Sequence, residues 1–250
     1  MKKILCAGTA GLALFAGIPA HSADLGVAPI YKQTPAVAVA TWTGSYLGIS
    51  GGGKWGRGVI HNGLSGLDET PRFDLNGGIV GITSGFNYQA GSWVLGYEGD
   101  TSLLSNKGRA FEIPPFDPTF SNQLKEQWLS TYRGRVGYAQ DSWLLYATGG
   151  AASARIEQNI FGTGGTPVIS QRRWNLGWAA GGGIEMKFAP NWSAKAEYLF
   201  VDFHDKSYFS PSPNPLFVSD QRPRLDEHIF RVGVNYKLPW GIIDLLGGTR

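Results

Sequence analysis

In five segments of this chain, charged residues alternate with rings and branched aliphatics at a period of two. Glu98 and Asp100 oppose Trp93, Leu95 and Tyr97; Arg133 and Arg135 oppose Tyr132, Val136 and Tyr138. Glu185 and Lys187 oppose Trp178, Ile184, Met186 and Phe188, and Lys195 and Glu197 oppose Trp192, Tyr198 and Phe200. Arg231, Asn235 and Lys237 oppose Phe230, Val232, Val234 and Tyr236. Side chains alternate between the faces of a β-strand, so each segment reads as a strand with one charged and one apolar face. A soluble barrel would turn the apolar face inward. Here the rings crowd towards the segment ends: Trp93, Tyr138, Trp143, Phe188, Trp192 and Tyr236 all border short connections or the chain's last strand. Rings at that level mark the girdle of a membrane barrel. The charged face must then look into the lumen, because a midplane Arg or Lys facing lipid costs about 2–4 kcal/mol.

The connections give the topology. Eight segments carry the pattern: 45–55, 77–88, 93–102, 128–139, 143–152, 176–188, 192–201 and 229–238. They are joined alternately by short turns (89–92, 140–142, 189–191) and long polar or Gly/Pro-rich stretches (56–76, 103–127, 153–175, 202–228). That alternation predicts an all-β, eight-stranded antiparallel up-and-down transmembrane β-barrel, with short periplasmic turns and long extracellular loops. Eight strands enclose a lumen that side chains can fill. We therefore expect a lumenal charge network joining Glu98, Asp100, Glu185 and Glu197 to Arg133, Arg135 and Arg231, with Lys187, Lys195 and Lys237 on the same face. The plainer alternative is that some of these charges sit in lumenal water. Glycines such as Gly48, Gly52, Gly181 and Gly183 would make room for the long side chains.

Met1-Lys2-Lys3, the apolar run 4–18 and the small residues up to Ala23 have the layout of a secretory signal peptide. We read residues 1–23 as that signal, 24–42 as a periplasmic linker, 43–238 as the barrel and 239–250 as a short tail. Cys6 falls inside the signal, so the exported part has no thiol. Without Lys2 and Lys3 the balance is 20 basic to 19 acidic residues, which gives no footprint for nucleic acid.

The motifs, in order, are Trp42-Thr43-Gly44-Ser45-Tyr46-Leu47-Gly48, Gly96-Tyr97-Glu98-Gly99-Asp100, Arg133-Gly134-Arg135-Val136-Gly137-Tyr138 and Leu145-Tyr146-Ala147-Thr148-Gly149-Gly150. Pro190-Asn191-Trp192 through Tyr198, and Phe230-Arg231-Val232-Gly233-Val234-Asn235-Tyr236-Lys237, close the series. This succession resembles the small outer-membrane barrel family of rhizobia and brucellae, labelled "porin family" or RopB-type, with an OmpA-like barrel. The resemblance implies an outer-membrane envelope protein tied to membrane integrity and host contact, assembled by the outer-membrane machinery, with haemin binding in some relatives. Members of that family usually end at or just after the last strand; here 239–250 follow Leu238.

Other motifs carry less. Gly48–Trp55 nearly spells a phosphate-binding loop but lacks its Ser/Thr and the helix after it. His204 and His228 flank the last long connection and could ligate haem iron, although solvated loop histidines read as well. Arg172-Arg173 and Arg222/Arg224, placed in loops, suit lipopolysaccharide phosphates or plain solvation. An acylase-type enzyme needs a histidine beside a serine on the barrel wall, and the eight segments hold none. The expectation is a non-enzymatic structural and interaction protein without a cofactor, whose partners are outer-membrane lipids, lipopolysaccharide and host surfaces. The second class is transport through a narrow channel.

Overall fold

A computed structural model of the protein describes residues 41–203, 208–209 and 220–239. The segment read as a signal peptide, most of the one read as a linker, His204 and the stretch after Pro239 lie outside them. Eight long strands form the wall: β1 (Gly44–Asn62), β3 (Gly77–Ala90), β4 (Trp93–Phe111), β5 (Ser121–Gln140), β6 (Trp143–Phe161), β7 (Pro167–Ala189), β8 (Trp192–Phe203) and β10 (Asp220–Lys237). Two short pieces, β2 (Phe73–Asp74) and β9 (Tyr208–Phe209), pair with β1 and β10. Each long strand is antiparallel to its sequence neighbour. The ring closes where β1 pairs with β10, from Tyr46↔Lys237 to Asn62↔Gln221. Closure gives every long strand a partner on both sides through the shared part of the wall.

The three short turns are two-residue hairpin connections. Two-residue loops favour positive φ, and Gly91 (φ 61°) and Asp141 (φ 52°) supply it. Glycine adopts that conformation without strain, and aspartate tolerates it better than most residues.

The strands run further than the sequence pattern suggests. Most of 153–175 is strand, and so are 56–62, 103–111, 121–127 and 220–228. A membrane-crossing strand needs about 9–11 residues, whereas β7 has 23. Stretches such as Glu157–Asn159 are polar on both faces and so read as loop, but ladder hydrogen bonding does not require an apolar face. Arg172, Arg173, Arg222, Arg224 and His228 are accordingly strand residues, not loop residues. His61 and His228 also correct the expectation that the strands hold no histidine.

One irregularity matters for the interior. At the register shift between Glu126 and Trp128, Gln127 is an extra residue against β6. Below this bulge the odd-numbered positions Arg133 and Thr131 are buried; above it the even-numbered Glu126 and Leu124 are. A bulge reverses which parity faces inward.

Candidate functional site

The interior is filled in three tiers, here described from the turn end to the loop end. At the turn end, Trp42 is 5% exposed and packs with Val94, Ala139, Leu144 and Tyr146. Its backbone N–H donates to Gln89 Oε1 at 2.8 Å, and the Lys187 ammonium lies 4.2 Å from its ring centroid. Trp42 thus belongs to the barrel and not to the linker.

The middle tier is ionic. Four carboxylates (Glu98, Asp100, Glu185, Glu197) and four cations (Arg133, Arg135, Lys195, Arg231) are all buried. Arg133 donates from Nη2 to Glu98 at 2.7 Å and Asp100 at 2.8 Å, from Nη1 to Glu197 at 3.1 Å, and from Nε to Thr131 Oγ1 at 2.8 Å. Arg231 donates to Glu197 at 2.7 Å and to Asp100 at 2.9 Å. Lys195 donates to Glu98 at 2.9 Å. Arg135 pairs with Glu185 and stacks 3.7 Å from the Tyr146 centroid. Ser193 (2.5 Å) and Asn235 (2.8 Å) also donate to Glu185. The hydroxyls of Tyr46 and Tyr146 donate to Glu98 at 2.8 Å and Glu197 at 3.1 Å. The charges balance and most polar atoms have partners, which is the condition for tolerating buried ions. Glycines make the rings fit: a Cβ at Gly85 or Gly183 would run into the end of Tyr46 or Tyr146.

Of the ten charges assigned to the lumen, this tier brings together eight. Lys187 and Lys237 are on the same face but nearer the turn end; Lys237 donates to the Thr41 carbonyl at 2.8 Å. Their strand positions, close to the last turn and the last strand end, place them outside the tier.

The third tier is apolar, which the charged faces of the strands did not indicate. Leu75, Leu124, Leu129, Leu199, Val201, Leu225, Ile229 and their neighbours form an apolar core in the loop-end half of the barrel. The β1–β3 connection folds in to complete it: Phe73 and Leu75 are buried, and the Glu69 carbonyl accepts from Ile113 N–H at 2.9 Å. Next to this core lies a second ionic group, with Lys54 between Glu126 and Glu227, the latter at 2.5 Å. Asn106 donates to Glu126 at 3.2 Å. Lys54 shares parity with the inward glycines of β1, Gly48 and Gly52, so its inward face is legible in the sequence. Glu126 faces inward only because of the bulge.

Outside the wall-spanning part, Glu112 follows β4 and accepts from Asn122 at 3.0 Å. Partial burial, and then the nearby Glu69 carboxylate, push its carboxyl up to about 7.

On the outer face, Trp93 and Tyr138 meet edge to face at 5.7 Å, and Trp192 and Tyr236 meet at a tilt with their centroids 4.9 Å apart. Trp93, Tyr138, Trp143, Phe188 and Trp192 are exposed; Tyr236 is half-buried. The ladder register reveals a second row nearer the loop end, Leu103–Trp128–Arg155–Trp174. On β4 it lies ten residues above Trp93 (93 to 103), roughly 25 Å for a strand tilted about 40°. That matches the height of an apolar membrane band. His228 is on the outward face of β10, its Nδ1 2.6 Å from the Tyr198 hydroxyl, its ring 6.2 Å from Trp55 and 5.2 Å from Phe200. The enzyme reading wanted a serine there; the contact is a tyrosine. Beside it is a cleft of about 800 Å³ lined by Arg57, Asp74, Arg224 and Asp226 among others.

A closed antiparallel ring with an apolar exterior and a filled, partly ionic interior defines a small outer-membrane barrel. The chain belongs to the outer membrane protein β-barrel domain family, whose model matches residues 10–237. It is 29% identical to the 31 kDa outer-membrane immunogenic protein of Brucella melitensis, over 95% of this chain and 100% of that one. It is 26% identical to the 22 kDa outer membrane protein of Rhizobium leguminosarum, covering 71% and 72% of the two chains. The crystal structure of OprG from Pseudomonas aeruginosa aligns with 80% of this chain and 99% of its own, at 12% identity and a TM-score of 0.46. The family and the Brucella and Rhizobium relatives place the protein in the outer membrane.

Proposed function

We propose that the protein is a plugged, non-enzymatic scaffold of the outer membrane that holds its extended loop end at the cell surface for contact with lipopolysaccharide and host surfaces. The observation that carries this reading is the filled lumen. Trp42, the ionic tier and the apolar core succeed one another along the axis, and the inserted Phe73–Leu75 segment takes up the space above. Open aqueous channels go with 16–18 strands, where side chains no longer meet across the lumen. Strand ends such as 103–111 and 153–161 extend the wall past the second aromatic row and hold the loops clear of the lipid. The name "immunogenic" belongs to the Brucella relatives; for this chain it supports surface exposure of the loop end.

The test is conductance of the refolded chain in a planar bilayer, with insertion verified by heat-dependent gel mobility. A silent bilayer is expected. Reproducible steps altered by Arg133→Gln would overturn the plugged reading in favour of a narrow channel.

A further inference from the structure

At the loop end of the outer wall, register places Lys107, Lys125, Glu157 and Arg172 side by side on β4, β5, β6 and β7. Directly opposed residues have Cβ atoms about 4.5–5.5 Å apart, and like charges there repel. Lys107 opposes Lys125 directly. The only carboxylate in the row is already engaged: Glu157 accepts from Arg172 Nε at 2.6 Å and from Asn159 at 2.9 Å, and lies 3.8 Å from Lys125 Nζ. Among the described residues Lys107 has no ion-pair partner.

The next row towards the turns sets Arg155 between Trp128 and Trp174, again with no ion-pair partner among the described residues. Below it the wall turns apolar and small, through Leu176, Tyr132, Ala151 and Trp178. Four cations therefore face one carboxylate where the apolar wall ends. The opposite wall differs: its outward row Arg57–Asp226–Asp202 sets one cation with two carboxylates, and Arg224 in the next outward row of β10 brings the two signs level. The positive excess belongs to the β4–β7 sector and is not a belt around the barrel.

We propose that this sector binds the phosphorylated headgroup of an outer-leaflet glycolipid. A phosphate between Lys107 and Lys125 relieves their repulsion, and Arg172 adds a guanidinium in the same row. Arg155, at the level of the indoles, meets a second phosphate, while the acyl chains lie along the apolar wall beneath. Charge-assisted bonds to phosphate suit these groups. The inference rests on the orientation proposed above, with the loop end outermost.

The test uses the refolded full chain in nanodiscs and a fluorescent bisphosphorylated lipid A, with the same lipid after phosphate removal as comparison. Wild type should bind the phosphorylated form, and Lys107→Gln/Lys125→Gln/Arg172→Gln should weaken that binding by at least about tenfold. Arg57→Gln on the opposite wall should leave it unchanged. Lys107→Gln alone, which breaks no ion pair, should weaken binding in the same direction and guards against misfolding of the triple variant. Equal binding of the dephosphorylated lipid, or wild-type affinity in both variants, would overturn the proposal. So would displacement by a soluble sulfated polysaccharide at concentrations where it binds the protein without any lipid, since the sector would then be a polysaccharide site. The readout is independent of conductance: a conducting barrel that still binds the lipid would sink the plugged reading and leave this inference standing.

Discussion

The two halves of the barrel interior are held by different forces. Near the turns, eight charges from β4, β5, β7, β8 and β10 satisfy one another, with Tyr46 and Tyr146 completing their shells. Near the loops, leucine, isoleucine and valine side chains from the same wall pack as they would in a soluble core, around one buried lysine and two glutamates. A balanced ionic tier contributes little net stability but is costly to break, because each loss strands a buried opposite charge. An apolar tier stabilises by area and yields in proportion to the atoms removed. The difference teaches that the lower half fixes which strands meet, whereas the upper half mainly keeps water out.

The largest test of that contrast is Arg231→Ala, which leaves Asp100 and Glu197 short of a partner. Urea unfolding of the refolded barrel should show a loss of about 3–5 kcal/mol. A loss below about 1 kcal/mol would mean the tier is hydrated and the contrast false.

Lys54→Met probes the ionic group beside the apolar tier. Alone it should cost about 3 kcal/mol by stranding Glu126 and Glu227. The triple variant Lys54→Met/Glu126→Gln/Glu227→Gln should recover to within about 1 kcal/mol of wild type, since that half needs filling more than it needs charge. If the triple variant stays as unstable as the single one, the group is as integral as the tier below.

Leu124→Ala should cost about 2–3 kcal/mol in the same unfolding assay, the ordinary consequence of a partly collapsed cavity.

The smallest effect concerns the loop end. Because Glu112 is raised in the folded protein to about 7, the folded state holds its proton more tightly than the unfolded chain does. Stability of this end should therefore fall as pH rises from the ordinary carboxyl range towards 7. Glu112→Gln should flatten that slope, measured as the rate of proteolytic nicking around residues 112–120 between about pH 5 and 7.5.

The period-two pattern carried a large share of the architecture. Ring closure, antiparallel order, the three tight turns and the inward face of Glu98, Arg133, Glu185, Glu197 and Arg231 all follow from alternation and turn spacing, which are local properties of the chain. Strand length above the apolar band was not legible, because Glu157–Asn159 shows no apolar face to reveal a ladder. Lys54 is visible by parity among the inward glycines of β1. Glu126 gave no such signal.

What the sequence determined by itself was which residues face in and which face out, and that an exported chain of this pattern becomes an outer-membrane barrel. Only the tertiary structure decided which inward residues meet. Lys54 reaches Glu126 across the lumen because a single extra residue at Gln127 reverses the parity of β5, and Lys107 opposes Lys125 because the ladder register sets them level. The physical reason is that alternation is set by each residue's own backbone, while stagger, bulges and cross-lumen distance are set jointly by all strands when the sheet closes.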